Sequence, residues 1–316
     1  MAEDSSAQAV AQPGEQVDEL PVKLPNVPAT KAYKNTDFLD SSLARHIRIM
    51  CELQEPNHRL KQHGVENHIL FVGTHLTMLP EERVEQISKL EQQMRASGPR
   101  AEMEAVGAQV RFHKKLQPMD RFYVVAMDIA ERIARWSDDR SKKGLSTYHV
   151  CTGGGPGCME AANRGARNAG ALSLGLGSSR PEWGQLNGHV SAEGAFEFHY
   201  FFMRKFWMAK SAKGLVVMPG GYGTLDELFE LLALISSKKI PRIPIVLLGT
   251  DFWKKAINFE YLIETSMLSR ESLDDFTYLD TAEEAFEFLV KHVEPTKSEG
   301  DHDIVPDAKR LKTSSS

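Results

Sequence analysis

Short runs of apolar residues alternate along the chain with longer segments of helical period. The runs fall at residues 68–72, 148–151, 171–176, 195–198, 215–218 and 244–248. Strands separated by such segments are the signature of a parallel sheet with crossover helices. Most runs lead into a glycine-containing turn, as strands do when a ligand sits at their carboxyl ends. The pattern predicts an α/β fold: a Rossmann-like, doubly wound parallel sheet with flanking helices.

One stretch breaks the expectation of short connections. Residues 80–117 are densely charged and carry Val84, Ile87, Leu90 and Met94 at three- and four-residue steps, which predicts an inserted amphipathic helix or helical hairpin. Its expected role is packing at the domain edge or at a subunit interface. The next helix, from 119 to about 136, places Phe122, Ala126, Ile129, Ile133 and Ala134 on one face and should cross over into the second strand. Residues 1–35 and 294–316 are polar and aperiodic, so both read as flexible tails around a single domain at 36–293. Residues 306–312 resemble a short basic nuclear-import signal, although such clusters are common in solvated tails.

Composition narrows the partners. With 41% hydrophobic and 26% charged residues the chain reads as globular, and a formal net charge of −5 offers no general attraction to nucleic acid or acidic membranes. Cys51, Cys151 and Cys158 form no CxxC pair, which fits a reducing compartment. No stretch approaches the roughly 20 apolar residues of a membrane helix, and the first residues do not resemble a signal peptide. The expectation is a cytoplasmic protein with a small ligand and neither nucleic-acid nor membrane partners.

Two glycine turns carry the candidate chemistry. Thr152-Gly153-Gly154-Gly155-Pro156-Gly157 follows a strand and precedes a helix rich in small residues. Its glycines either let a ligand approach backbone N–H groups at a helix start or only satisfy tight backbone angles. Pro219-Gly220-Gly221-Tyr222-Gly223-Thr224 opens a second helix, with Leu225, Leu228, Phe229, Leu232 and Ile235 on its apolar face. Thr224-Leu225-Asp226-Glu227 there also reads as a T-x-x-E capping box, and a bound phosphate would compete for the same amides. Neither a spaced G-x-G-x-x-G nor a G-x-x-x-x-G-K-[ST] sequence occurs, which argues against ordinary dehydrogenases and kinases. The histidines show no ligand spacing, so no metal and no cofactor are expected.

These motifs, TGGGPGCMEAANRGA, the Arg204-Lys205 pair and PGGYGTLDE in that order, resemble the LONELY GUY (LOG) family, often labelled lysine decarboxylases. The resemblance spans roughly residues 66–292, including the 179–187 loop, and is greatest to the longer bacterial-type members. It implies a Rossmann-like, usually dimeric phosphoribohydrolase that splits a nucleoside 5′-monophosphate, AMP or an N6-modified AMP, into free base and ribose 5-phosphate. Arg204 and Glu227 take the positions of the catalytic pair. Gly220, Gly221, Tyr222, Gly223 and Thr224 match the phosphate loop, Lys205 the neighbouring basic position, and Gly153, Gly154 and Gly155 the first glycine turn. Met203 stands where compact plant members commonly carry an acid, which sets base recognition apart from theirs. Two alternatives accompany this reading: a general purine or pyrimidine nucleotide nucleosidase, and a non-catalytic carrier of nucleotide or molybdenum cofactor.

Overall fold

The computed structural model describes residues 29–178 and 185–293, so residues 1–28 of the predicted tail at 1–35, the whole predicted tail at 294–316 and much of the loop after the third strand lie outside the described residues, while Ala32–Lys34 of the first tail form a short 3-10 helix. Two compact units divide the chain, residues 1–48 and 49–316. In the first, a helix α1 (Thr36–Asp40) is capped by Asn35, whose side chain accepts from Phe38 N–H. Helix α2 (Arg45–Gln62) includes the point of division.

The second unit is built on seven strands: β1 (His68–Val72), β2 (His149–Thr152), β3 (Ser173–Ser178), β4 (Ala195–Phe198), β5 (Ala212–Val217), β6 (Ile245–Leu248) and β7 (Thr277–Leu279). All pair in parallel, in the order β4-β3-β2-β1-β5-β6-β7. The predicted doubly wound sheet is therefore what forms. Six strands overlap the six apolar runs, β1 and β4 residue for residue and the others shifted by one to three residues; β7 has only three half-buried residues and was not among them. The chain builds outward from β1 to β4, then returns to the other side of β1 with β5. The carboxyl ends of β1 and β5 consequently flank the switch point, where open α/β sheets leave a crevice for ligands.

The side chains of β1 alternate between two cores. Leu70 and Val72 face one layer with Leu215 and Val217 of β5, against helices α7 (Phe201–Lys210), α8 (Tyr222–Ser236), α9 (Thr250–Ala256) and α10 (Phe259–Glu264). Ile69 and Phe71 face the other, against α5 (Arg121–Lys142), α6 (Cys158–Asn168) and α11 (Ala282–His292). Period-two alternation along a strand buried on both sides produces this division.

The charged stretch forms a helical hairpin, α3 (Pro80–Ala96) and α4 (Arg100–Leu116), with a small core of Leu90, Val106 and Val110 beside Met94. Val84 departs from the predicted stripe. It is 55% exposed, and the helix turns its neighbour Arg83 inward instead, where Asp120 neutralises it.

Candidate functional site

The first glycine turn links β2 to α6 and is held by side chains rather than by its own backbone. Thr152 Oγ1 accepts the Gly154 N–H at 2.9 Å and donates to Asn163 Oδ1 at 2.7 Å. Asn163 Nδ2 in turn donates to Ser173 Oγ and the Leu174 carbonyl. Asn187 closes the set, its Nδ2 lying 3.2 Å from Gly154 O, 3.1 Å from Gly155 O and 2.9 Å from Asn163 Oδ1. Such a buried network is rigid because each member satisfies another. Gly153 makes room for Arg204: a Cβ there would stand 2.5 Å from its Nη2.

The second turn links β5 to α8, and here the capping-box reading fails. The helix begins at Tyr222, with Gly221 as N-cap and no side chain bonding its first amides. Thr224 lies inside the first turn, buried, with its hydroxyl packed at Gly220, where a Cβ would meet Oγ1 at 2.1 Å. Since the helix starts earlier than the T-x-x-E pattern implied, Glu227 lies a turn too far along to reach back to a cap. The box that does form is Thr281 with Glu284 on α11. A helix start leaves its first four N–H groups without intrahelical partners and carries partial positive charge. Nothing lies within 4 Å of where Cβ atoms at Gly221 or Gly223 would point, and Tyr222 is 94% exposed.

Glu227 instead meets Arg204. Arg204 Nη2 donates to Glu227 Oε1 at 3.1 Å and Nε to the Leu176 carbonyl at 2.7 Å, while the guanidinium lies over the Phe201 ring. Both side chains are nearly buried, at 9% and 12% exposure. Burial raises the Glu227 carboxyl above its ordinary range; the Arg204 charge opposes this and Asp226 adds to it. Lys205, the next residue, turns to Asp226 at 2.7 Å and Glu230 at 3.4 Å. Its ammonium is thus matched by two carboxylates. Cys151 and Cys158 are buried with thiols pushed up, Cys158 to about 12, so neither supplies a thiolate nucleophile.

Helix α7, which carries Arg204 and Lys205, is fixed at both ends. Glu52 of α2 accepts the His199 and Tyr200 N–H groups at 2.7 and 3.3 Å, and its carbonyl accepts from Trp207 Nε1 at 2.8 Å. At the far end His68 Nε2 lies 3.0 Å from the Met208 carbonyl. Burial lowers the His68 ring to about 4, so it is neutral and donates there. Sequence reasoning did not find Glu52, Asn163 or Asn187 as supports. Asn163 left one trace, a lone amide among small residues in a helix expected to pack on the sheet.

Among the described residues no group of three His, Cys, Asp or Glu could hold a metal ion, and no helix is long and apolar enough to cross a membrane. What converges at the carboxyl ends of the strands is a buried carboxylate of raised proton affinity, a fixed guanidinium fork and an uncapped helix start.

Comparison with known proteins finds a family match. Residues 159–289 match the family model described as "Possible lysine decarboxylase". No curated protein matches the chain. Among solved structures, the structural-genomics X-ray target TM1055 is 20% identical over 71% of this chain and 99% of its own, with a TM-score of 0.41. A molybdenum cofactor binding protein from the phototrophic bacterium Rippkaea orientalis is 19% identical over 53% of this chain and 87% of its own, with a TM-score of 0.36. A Moco carrier protein from Chlamydomonas reinhardtii is 18% identical over 72% and 99%, with a TM-score of 0.38.

Proposed function

We propose that the chain, whose residues 159–289 match the family model of possible lysine decarboxylases, is a nucleoside 5′-monophosphate phosphoribohydrolase. The observation that carries the reading is the buried Arg204–Glu227 pair between the two glycine turns. The substrate is AMP or an N6-modified AMP, the enzyme a cytoplasmic homodimer, and the products free base and ribose 5-phosphate.

The phosphate binds the uncapped amides at the start of α8, with Gly221 and Gly223 admitting close approach. The C1′–N bond breaks with its electron pair passing to the base, and positive charge develops on the ribose. Glu227 stabilises that charge and takes a proton from the water whose oxygen bonds to C1′; the departing base gains its proton from solvent. The raised carboxyl makes Glu227 a stronger base than an exposed glutamate would be. Arg204, held by Leu176 O and stacked on Phe201, orients the carboxylate and donates to a ribose or phosphate oxygen. Lys205 holds Asp226 and Glu230 beside the site, and the first glycine turn, Gly153, Gly154 and Gly155, makes room for Arg204 at Gly153.

Incubation with AMP, other monophosphates and isopentenyladenosine monophosphate, with chromatographic detection of free base, tests the proposal and ranks the bases. Glu227→Gln keeps an acceptor for Arg204 and is expected to fold while losing on the order of 10²–10³-fold in turnover, the scale of a lost proton-transfer or charge-stabilising group. A folded variant with near-wild-type turnover would remove Glu227 from catalysis. Tight nucleotide or pterin binding without any base release would replace hydrolysis by a carrier role.

A further inference from the structure

One segment runs between the two glycine turns. It leaves β1 at residues 73–79 and touches both. Thr74 donates its N–H to the Pro219 carbonyl at 2.9 Å, and its own carbonyl accepts the Cys158 N–H at 3.0 Å. Gly157, at φ +72°, admits that carbonyl where a Cβ would come within 2.4 Å of it. The Thr77 hydroxyl lies 3.3 Å from Cys158 Sγ. The segment thus bridges the two turns, with one backbone hydrogen bond to each side.

The helical hairpin fastens the segment from behind. Arg83 of α3 donates through Nε to Asp120 Oδ2 at 2.7 Å and through Nη2 to Asp120 Oδ1 at 2.9 Å. The same Nη2 reaches the Leu76 carbonyl at 2.5 Å, and Asp120 Oδ1 accepts the Met78 N–H at 3.1 Å. Arg83 Nη1 donates to His113 Nδ1 of α4 at 2.7 Å. Burial, the largest influence, and the Arg83 charge lower the His113 pKa, which keeps the acceptor free. Both members of the ion pair are 1% exposed. Buried ion pairs seldom stabilise more than apolar residues of the same volume would. What this pair does that apolar residues could not is grip the segment's backbone at two points, one through each partner.

We infer that Arg83 and Asp120 are positioning residues, through which the inserted hairpin fixes the β1 segment and with it the spacing of the two glycine turns around Arg204 and Glu227. The hairpin thereby belongs to the site's support as well as to the domain edge. This deepens the proposed function and relies on it for what the turns hold.

Hydrogen exchange of the ligand-free full chain tests the inference without requiring activity. In the double variant Arg83→Met/Asp120→Leu, the Thr74 and Cys158 amides are expected to exchange at least ten-fold faster, with Val246 and Leu247 of β6 unchanged. Unchanged Thr74 and Cys158 amides would overturn the inference. A uniform rise that includes β6 would overturn it equally, since it would reveal a pair that merely stabilises the fold. If the double variant does not fold, Asp120→Asn retains the shape, loses the charge and is read by the same amides. Because no substrate is present, a failure of AMP cleavage bears on the proposed function alone, and a failure here leaves that function standing.

Discussion

The two glycine turns look alike in sequence and are built in opposite ways. In the first, the protein itself fills the space that the glycines vacate: the Arg204 guanidinium lies against Gly153, the Leu186 side chain against Gly154 and the Thr74 carbonyl against Gly157. In the second, Gly221 and Gly223 face open space and the helix start has no side-chain cap. Glycine in the first turn is demanded by packing, whereas at Gly221 and Gly223 packing demands nothing. The second turn is thus the better candidate for phosphate contact, and the first for scaffolding of Arg204.

The largest expected effect follows from Gly153→Ala. The added methyl must displace the Arg204 Nη2 or strain the strand end, a cost of about 1–3 kcal/mol for overpacking a filled site. Because Arg204 would leave Glu227, base release should fall about 100-fold, beyond what the stability loss explains. Thermal melting and turnover measured together check this; an active, normally stable variant would erase the contrast between the turns.

Asn163→Ala should come next. It strips partners from Thr152, Ser173 and Asn187 at once, and each buried polar group left unsatisfied costs roughly 1–3 kcal/mol. A destabilisation of about 2 kcal/mol in urea, with weaker nucleotide binding as the turn loosens, is the expected result.

How much of this was legible beforehand follows the range of the interactions involved. Strand β1 was read from five consecutive residues because burial on both faces leaves a continuous local pattern. Strand β5 begins at Ala212, before the predicted run, because Lys213 and Gly214 interrupt the apolar signal while β1 supplies the pairing. Val84 looked like core because its spacing fits a stripe, yet Arg83 wins the interior through Asp120, 37 residues away. Thr224-x-x-Glu227 satisfied a local rule, but the helix starts at Tyr222, which leaves Glu227 free to meet Arg204, 23 residues before it. Arg204 and Glu227 were reached through motif resemblance, and their pairing is visible only in three dimensions. Glu52, Asn163 and Asn187 likewise act on partners that no sequence period connects to them.

Gly223→Ala sharpens the comparison from the opposite side. Gly223 lies within α8 and its Cβ would meet nothing, so the ligand-free protein should gain about 0.5–1 kcal/mol, the usual advantage of alanine over glycine in a helix. AMP affinity by calorimetry should nevertheless fall about ten-fold as the methyl obstructs the phosphate. Equal affinity would remove the second turn from the binding site.

The smallest expected effect is the pH dependence of stability that Glu227 contributes. Its carboxyl titrates higher in the folded protein than its ordinary value of 4.5, mainly because it is desolvated. Between that value and its folded pKa, the native state binds more protons than the unfolded chain, so this group's contribution to stability falls as pH rises and levels off above the folded pKa. The Arg204 charge limits the penalty, which keeps the change modest. Relative to wild type, Glu227→Gln should therefore gain stability as pH rises through that window and lose the gain again below about 4.5, where both forms are neutral. Urea midpoints at several pH values measure the difference. A difference that stays flat across the window would mean that the Arg204 charge cancels the desolvation of Glu227 and leaves its carboxyl no stronger a base than an ordinary glutamate, removing the raised proton affinity as a reason for treating it as the base.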